Sequence, residues 1–123
     1  MRNVIPFDRM SLRFANYENR TMSSTWVVGT DVPGLREGDD FPMENSLAGQ
    51  VIRTKEPYML SPVYRAGTLS FMAVPLISRD VVIGVIRVGY RERGIYTQQH
   101  LELFRRMGNQ IPVAISKRSM VQP

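Results

Sequence analysis

Two consecutive apolar segments in the second half of the chain restrict its fold more than any other feature of the sequence. Residues 69–77 and 81–90 are apolar at nearly every position, and the short turn Ser78-Arg79-Asp80 separates them. Two such runs joined by so few residues predict an antiparallel hairpin. Because neither strand alternates between apolar and polar residues, other layers of the protein must cover both faces of the hairpin.

Three further segments have strand or loop patterns. Residues 9–15 alternate between apolar and polar side chains, which predicts a half-buried strand, and residues 21–29 can pair with it as a hairpin. Residues 30–40 are dense in Gly, Pro and Asp and predict a loop. Residues 58–63 predict a short strand that follows the helix breaker Pro57.

Two segments predict helices. Asn45 or Ser46 can cap a helix over residues 46–54, and Thr97 can cap a second helix over residues 97–117. The buried side of the first helix is expected at Leu47, Val51 and Ile52, and that of the second at Leu101, Phe104, Met107 or Gly108, Ile111 and Ile115. We therefore expect an α+β fold, in which a central antiparallel sheet of five to six strands carries the two helices on opposite faces.

Length and charge indicate the class of protein. The 123 residues, 43% of them apolar, are expected to form a single domain over residues 1–123. The net charge is +5, but the basic residues are scattered along the chain, which disfavours a nucleic-acid partner. No segment is apolar for long enough to predict a membrane span or a secretion signal, so we expect no membrane insertion and a cytoplasmic location.

The chain contains no cysteine. This excludes disulfides, thiolate metal sites and cysteine nucleophiles, and it suits a reducing compartment. The single histidine, His100, has no second ligand of its kind, so we predict an exposed surface residue and neither haem nor a structural metal. The acidic residues of the loop region, Glu37, Asp39, Asp40 and Glu44, lack the spacing of a calcium loop and are expected to be solvated.

Three stretches resemble the GAF domain family of small-molecule sensors. They are IPFDRMSLRF, then FPMENSLAGQVIRTKEPYML, then SFMAVPLISRDVVIGVIRVGY followed by a helix that ends in NQIPVAI. The most specific part is the ordered combination of Ser46-Leu47-Ala48-Gly49, Val51, Thr54, Pro57, Val74-Pro75-Leu76 and Ile83-Gly84-Val85. The sequence looks most like the GAF domains of bacterial histidine kinases, diguanylate cyclases and enhancer-binding transcription activators.

The resemblance implies a non-catalytic sensory or regulatory domain of a bacterial signal-transduction protein. Such a domain binds a small molecule between sheet and helix and relays the change through its C-terminal helix to an output domain in a longer parent chain. The alternative is a ligand-free GAF-like module for dimerisation and signal relay. The chain lacks the Asn-Lys…Phe…Asp-Glu signature of cyclic-nucleotide-binding relatives and the cysteines of pigment-binding and sulfoxide-reducing relatives, so we expect no cofactor beyond an unidentified small molecule.

The candidate ligand site lies, on this resemblance, beneath the helix over residues 46–54. Its floor is expected on the strands that carry Met72, Val74 and Arg87. Gly49 either allows the helix to approach a sheet or ligand closely, or serves helix packing alone. Arg87 interrupts an apolar strand and needs an anionic ligand group, an internal ion pair or a path to solvent. The candidate ligand-binding residues are Trp26, Phe41, Leu47, Gly49, Val51, Tyr58, Met72, Val74 and Arg87.

The start of the chain departs from the family pattern. GAF domains normally begin with a helix, but only five residues precede Pro6, so the first helix is expected to be missing or truncated. The apolar stripe of the last helix would then lack a neighbour. Exposed apolar surface commonly marks a contact site, and we therefore expect a homodimer built through the terminal helix, the early strands, or both.

Overall fold

In the computed structural model, six strands of the described chain form one antiparallel sheet. The structure describes residues 5–29, 31, 36–44, 46–59, 70–92 and 94–121, apart from the side chains of Leu47 and residues 112–121. The elements are β1 (Arg9–Asn16), β2 (Thr21–Gly29), β3 (Asp40–Pro42), α1 (Leu47–Thr54), β4 (Tyr58–Met59), β5 (Ser70–Ser78), β6 (Val81–Tyr90) and α2 (Gln98–Val121). The strand order is β3-β2-β1-β6-β5-β4, which confirms the predicted α+β fold.

The edge strand β3 is the element that the sequence did not predict. It is three residues long and pairs with β2, with Phe41 opposite Met22. At the other edge, β4 confirms the strand predicted over 58–63 as far as Met59, and the rest of that prediction lies outside the described residues. Both additions are short, as is common for strands at the edge of a sheet.

The hairpin of β5 and β6 contains an irregularity that decides which side chains share a face. Arg79 and Asp80 have φ angles of 50° and 68°, as a two-residue hairpin turn requires. Ser78 pairs with Val81, but the register shifts by one residue beyond Ile77. From there on, Ala73 lies opposite Arg87, and the even-numbered residues of both strands share the other face.

The long helix α2 covers the face of the sheet that the even-numbered residues of β5 and β6 form. Phe104 is 0% exposed and packs into an apolar core with Met72, Val74, Leu76, Ile86 and Val88. Gly108 brings the helix close to the sheet, because a Cβ there would lie 2.8 Å from Cγ2 of Val74. Of the two alternatives left open by the sequence, Gly108 is therefore the buried one, and Met107 is 40% exposed.

Thr97 caps α2, as predicted, and His100 takes part in the cap. The backbone N–H of Thr97 donates to Nδ1 of His100 at 3.0 Å, and the N–H of His100 donates to Oγ1 of Thr97 at 3.3 Å. This is the reciprocal arrangement of a capping box, with histidine in the position that glutamate usually occupies. Next to it, the buried Tyr96 donates a hydrogen bond of 2.8 Å to the carbonyl of Pro6, which ties the start of β1 to α2.

The short helix α1 covers part of the opposite face, so the two helices lie on opposite sides of the sheet as predicted. Ser46 is the N-cap: its Oγ accepts from the N–H of Gly49 at 3.0 Å and donates to the carbonyl of Met43 at 2.7 Å. From α1, Ala48 and Val51 pack against a second apolar cluster with Met22, Met43, Ala73 and Val85. Neither helix, over its described residues, has the length and hydropathy needed to span a bilayer.

Candidate functional site

The α1 side of the sheet buries polar and charged residues, whereas the α2 side is an apolar core. Arg9, Ser11, Arg13 and Ser24 are each at most 7% exposed, and the side chain of Arg87 is half-buried among them. We call these five residues the arginine cluster. A buried guanidinium costs free energy unless an acceptor or a negative charge compensates it, so this cluster is the feature of the molecule that needs a functional explanation.

The register of β1 with β6 brings the members of the arginine cluster together. Ser11 lies directly opposite Arg87, while Arg9 and Arg13 are two residues to either side of Ser11. Ser24 lies opposite Arg13 on β2. Diagonal neighbours in an antiparallel pair are separated by about 7–8 Å, which is well within the reach of arginine side chains. The register therefore gathers the five side chains on the α1 face of three neighbouring strands, with Arg13 and Arg87 as diagonal neighbours.

Aromatic rings flank the arginine cluster at both ends. The guanidinium carbon of Arg13 lies 5.1 Å from the ring centre of Phe41, and that of Arg87 lies 4.6 Å from the ring centre of Phe71. Tyr58 stacks on Phe71 with its ring centre 5.6 Å away. These contacts hold the two guanidinium planes in place and stabilise each by roughly 0.5–2 kcal/mol.

Several buried donors of the cluster have no acceptor in the described part of the chain. They are Nε and Nη2 of Arg13, Nε of Arg87, and the hydroxyls of Ser11 and Ser24. The described acids near the sheet contact other groups. Asp31 accepts two hydrogen bonds from Arg36, at 2.7 and 2.9 Å, and Asp8 accepts from the backbone N–H of Arg91 at 3.0 Å. Native proteins satisfy most buried polar groups, so this concentration of unsatisfied donors is unusual.

Burial and mutual repulsion lower the pKa values of the clustered guanidinium groups. Burial is the main reason that the pKa of Arg13 falls to about 10, and the positive charges of Arg87 and Arg9 lower it further. The pKa of Arg87 is also lowered, first by burial and then by the charge of Arg9. With a pKa of about 10, the Arg13 side chain remains charged at neutral pH. The unfolded chain holds the Arg13 proton to higher pH than the folded domain, so this charge lowers stability at neutral pH, and the loss is recovered as pH rises above about 10.

The structure brings together only part of the site that the sequence predicts. Phe41, Tyr58 and Arg87 flank or belong to the arginine cluster, and Val51 contributes to the apolar cluster beneath α1 on the same face. The side chain of Leu47 lies outside the described part.

Three candidate residues lie on the wrong face. Met72 and Val74 belong to the core beneath α2, because the register of the hairpin pairs them with Val88 and Ile86 and away from Arg87. Trp26 lies opposite Leu12, on the α2 side of β2, and is 43% exposed. The prediction that these residues share a site with Arg87 was therefore wrong.

Gly49 is explained by local backbone geometry. A Cβ at this position would overlap the carbonyl oxygen of Met43, which turns toward the first turn of α1 to accept the hydrogen bond from Ser46. Gly49 is buried, and its close contact is with Met43 in the segment that leads into α1. The predicted close approach of Gly49 to the sheet or to a ligand therefore has no support in the structure.

Sequence reasoning missed four of the five members of the arginine cluster. Arg13 and Ser11 were assigned to the solvated side of a half-buried strand, although β1 is a central strand and both of its faces are covered. The available signal was the alternation of Arg9, Ser11 and Arg13 on one side of β1, in register with Arg87 once β1 is placed beside β6.

The acids of the loop region contact residues in the turns around β2 and β3. Among the residues that the structure describes, no group of three or more His, Cys, Asp or Glu side chains could hold a metal ion. Glu44 pairs with Arg20, Asp40 accepts from Ser23 at 2.8 Å, and Asp39 accepts from the N–H of Arg36 at 2.8 Å. These acids hold the turns around β2 and β3.

Solved structures of known proteins share this architecture. The GAF domain of a phosphoenolpyruvate-protein phosphotransferase from Acinetobacter has a TM-score of 0.76 and 19% identity, over 94% of this chain and 74% of that chain. The GAF domain of a two-component sensor histidine kinase from Bacillus halodurans has a TM-score of 0.75 and 19% identity, over 95% and 86%. A free methionine-R-sulfoxide reductase from Neisseria meningitidis, solved with its substrate, has a TM-score of 0.77 at 11% identity, over 94% and 71%.

No curated protein matches the chain by sequence. A family model does match: the model of the GAF domain covers residues 11–116, which is most of the sequence. The structural neighbours establish the fold, and the family model establishes the relationship. The chain therefore belongs to the GAF domain family of sensory and regulatory domains in signalling proteins.

Proposed function

We propose that this GAF domain is a non-catalytic sensory module of a bacterial, cytoplasmic signal-transduction protein. It binds a small molecule on the α1 side of the sheet and relays binding through α2 to an output domain. One observation carries the proposal: the α1 side buries donors of Ser11, Arg13 and Ser24 that have no acceptor among the described residues. A small number of buried polar groups that can orient a bound molecule is typical of small-molecule sites.

The two faces of the sheet suit different roles: ligand binding on the α1 side and relay of the signal on the α2 side. Arg87 belongs to the arginine cluster and Ala73 lies opposite it, while their strand neighbours Val74 and Ile86 contact α2 beneath Gly108. A shift of β5 or β6 on ligand binding would therefore act directly on the surface where α2 packs. Close-packed interfaces of this kind transmit small displacements because their side chains have few alternative arrangements.

A non-catalytic role fits the side chains on the α1 face. The buried polar residues there are arginine and serine, and neither kind of side chain supplies a general base. The single histidine of the chain lies at the start of α2 and accepts a hydrogen bond within the helix cap. Ser11 has no base within the described cluster that could activate it as a nucleophile.

A second candidate function is a ligand-free dimerisation and relay module. The observation in its favour is apolar surface on the α2 side of β2, where Trp26 and Val28 are 43% and 41% exposed. Phe7, just before β1, is exposed as well. In this alternative, a homodimer forms through the early strands or α2 and signals without a ligand.

Native mass spectrometry and a thermal-shift screen of small metabolites separate the two candidates. A sensory module is expected to carry a small molecule that native mass spectrometry detects, or to be stabilised by a compound in the screen. At one hundred times its dissociation constant, a ligand adds about 2.7 kcal/mol, which raises the melting temperature of a domain of this size by roughly 10 °C. A dimer by light scattering that carries and binds no compound would favour the alternative.

A further inference from the structure

The chemistry of the arginine cluster narrows the class of ligand. Arg13 is 4% exposed, and its Nε and Nη2 have no acceptor within the described residues. Among the described residues, Arg20 pairs with Glu44, Arg36 with Asp31 and Arg91 with Asp8, and these three pairs include neither Arg13 nor Arg87. Two positive charges therefore lie close together on the sheet without a carboxylate from that part of the chain.

The aromatic contacts do not compensate this burial. A cation–π contact stabilises a guanidinium by less than removal of the ion from water costs, even after relaxation of the protein. Repulsion between Arg13 and Arg87 adds to the unfavourable free energy of burying the two charges, as the lowered pKa of Arg13 indicates. A negative charge bound between these two guanidinium groups would offset both the cost of their burial and their mutual repulsion.

We propose that the ligand of this domain is a small oxyanion, carrying a carboxylate or a phosphate group that Arg13 and Arg87 bind together, with Ser11 and Ser24 as additional donors. The inference rests on the proposed sensory function and names the ligand class of the same site. Guanidinium groups donate paired N–H bonds to planar carboxylates and to phosphates, which favours these groups over a halide or a neutral polar molecule.

The burial of the cluster limits the size of the ligand. Ser11, Arg13 and Ser24 are at most 4% exposed, so the backbone of a nucleic acid or a phosphorylated protein surface cannot reach them without displacing covering chain. Phe41 and Phe71 contact the guanidinium groups and act as positioning residues. The anionic group is thus expected to be part of a free small molecule.

The test compares two neutral variants with a matched control. Arg13→Met and Arg87→Met keep much of the side-chain length and remove the charge, while Arg105→Met removes an exposed charge on α2. Each chain is titrated with sodium succinate, inorganic phosphate and the uncharged analogue succinamide, at an ionic strength held constant with sodium chloride. Calorimetric affinity and the unfolding midpoint are measured.

The expected result has two parts. Succinate or phosphate binds the natural chain and Arg105→Met equally, and binds Arg13→Met and Arg87→Met at least about tenfold more weakly, because each loses charge-assisted hydrogen bonds. Without added anion, the two cluster variants unfold at the same or a higher temperature than the natural chain, because an uncompensated buried charge is gone. Whichever of the two anions binds more tightly identifies the group that the site prefers.

Each of the following results would overturn the inference. One is the absence of any effect of succinate and phosphate beyond that of chloride. Another is equal anion binding by Arg13→Met, and the third is a large loss of stability in both cluster variants before any anion is added, which would assign the arginines a structural role. Binding of succinamide that does not depend on the arginines would reject the oxyanion ligand but leave the proposed small-molecule sensing intact. A chain that binds no compound at all would reject both the oxyanion ligand and the sensory function.

Discussion

Replacement of Phe104 by alanine is expected to lower the free energy of unfolding by about 3–5 kcal/mol. The side chain is 0% exposed and lies in the core between α2 and the sheet, against Val74, Leu76 and Ile86. The variant loses the burial of the ring and leaves a cavity that the stiff β-branched side chains of Val74 and Ile86 cannot fill. Chemical denaturation of the natural and variant chains measures the difference.

Met107→Ala is the matched control on the same helix. Met107 was an alternative member of the apolar stripe in the sequence, but it is 40% exposed in the structure. Its truncation is expected to change the free energy of unfolding by at most about 0.5 kcal/mol, as is usual for exposed positions. If Met107→Ala costs as much as Phe104→Ala, α2 packs on the sheet through a different face than the one described.

Replacement of Gly49 by alanine is expected to lower the free energy of unfolding by about 3 kcal/mol. Alanine favours a helix over glycine by about 1 kcal/mol, but the added Cβ would overlap the carbonyl oxygen of Met43. Relief of that overlap requires the turn before α1 to move and breaks the hydrogen bond between Ser46 and Met43. Thermal and chemical denaturation measure the loss.

Gln50→Ala serves as the control, since Gln50 is the next residue of α1 and is exposed. Its replacement by alanine should leave stability unchanged or slightly improved through helix propensity. A Gly49→Ala variant that is as stable as Gln50→Ala would contradict the close approach of Met43. It would also restore the original idea that Gly49 serves a ligand, which binding measurements on the same variant would then test.

The elements that local sequence determines were predictable. The β5–β6 hairpin has two long apolar runs around a tight turn, and the caps at Ser46 and Thr97 precede helical patterns. These features depend on residues close together in the chain. The edge strand β3 was not predictable, because three residues next to a loop rich in Gly and Asp carry no periodic pattern.

Two β-bulges explain the errors in the predicted site. A regular hairpin around Arg79 and Asp80 would pair Met72 with Arg87, and both would share a face, as the sequence analysis expected. The register shift beyond Ile77 moves Met72 opposite Val88 and Ala73 opposite Arg87. A one-residue shift exchanges the two faces of a strand, and the local sequence pattern did not predict this shift.

The second bulge has the same effect on β2. Arg13 pairs with Ser24, but Leu12 pairs with Trp26, so one residue of β2 is extra between them. If regular pairing continued from Arg13 and Ser24 without the bulge, Trp26 would lie opposite Ser11 within the arginine cluster. The bulge moves its ring to the α2 side, where it is exposed. Both misplaced sets of candidate residues thus have one physical cause.

Burial of the arginine cluster depends on contacts that are distant in the sequence. The alternation of Arg9, Ser11 and Arg13 resembles the solvated side of an ordinary strand. It becomes a buried polar site only because β1 lies between β2 and β6. The pairing of β1 with β6 joins residues that are distant in the sequence, such as Ser11 and Arg87. Arg87 alone was recognisable, because it interrupts an otherwise apolar strand.

The most direct test of ligand binding on the α1 side is an NMR titration of the arginine side chains. The Nε–H signals of Arg13 and Arg87 are assigned with their methionine variants and followed during addition of succinate or phosphate, with Arg105 as the exposed reference. The account predicts that the two cluster signals move downfield together and saturate, while the Arg105 signal follows ionic strength alone. Uniform movement of all arginine signals, or cluster signals that show bound acceptors before any anion is added, would contradict it.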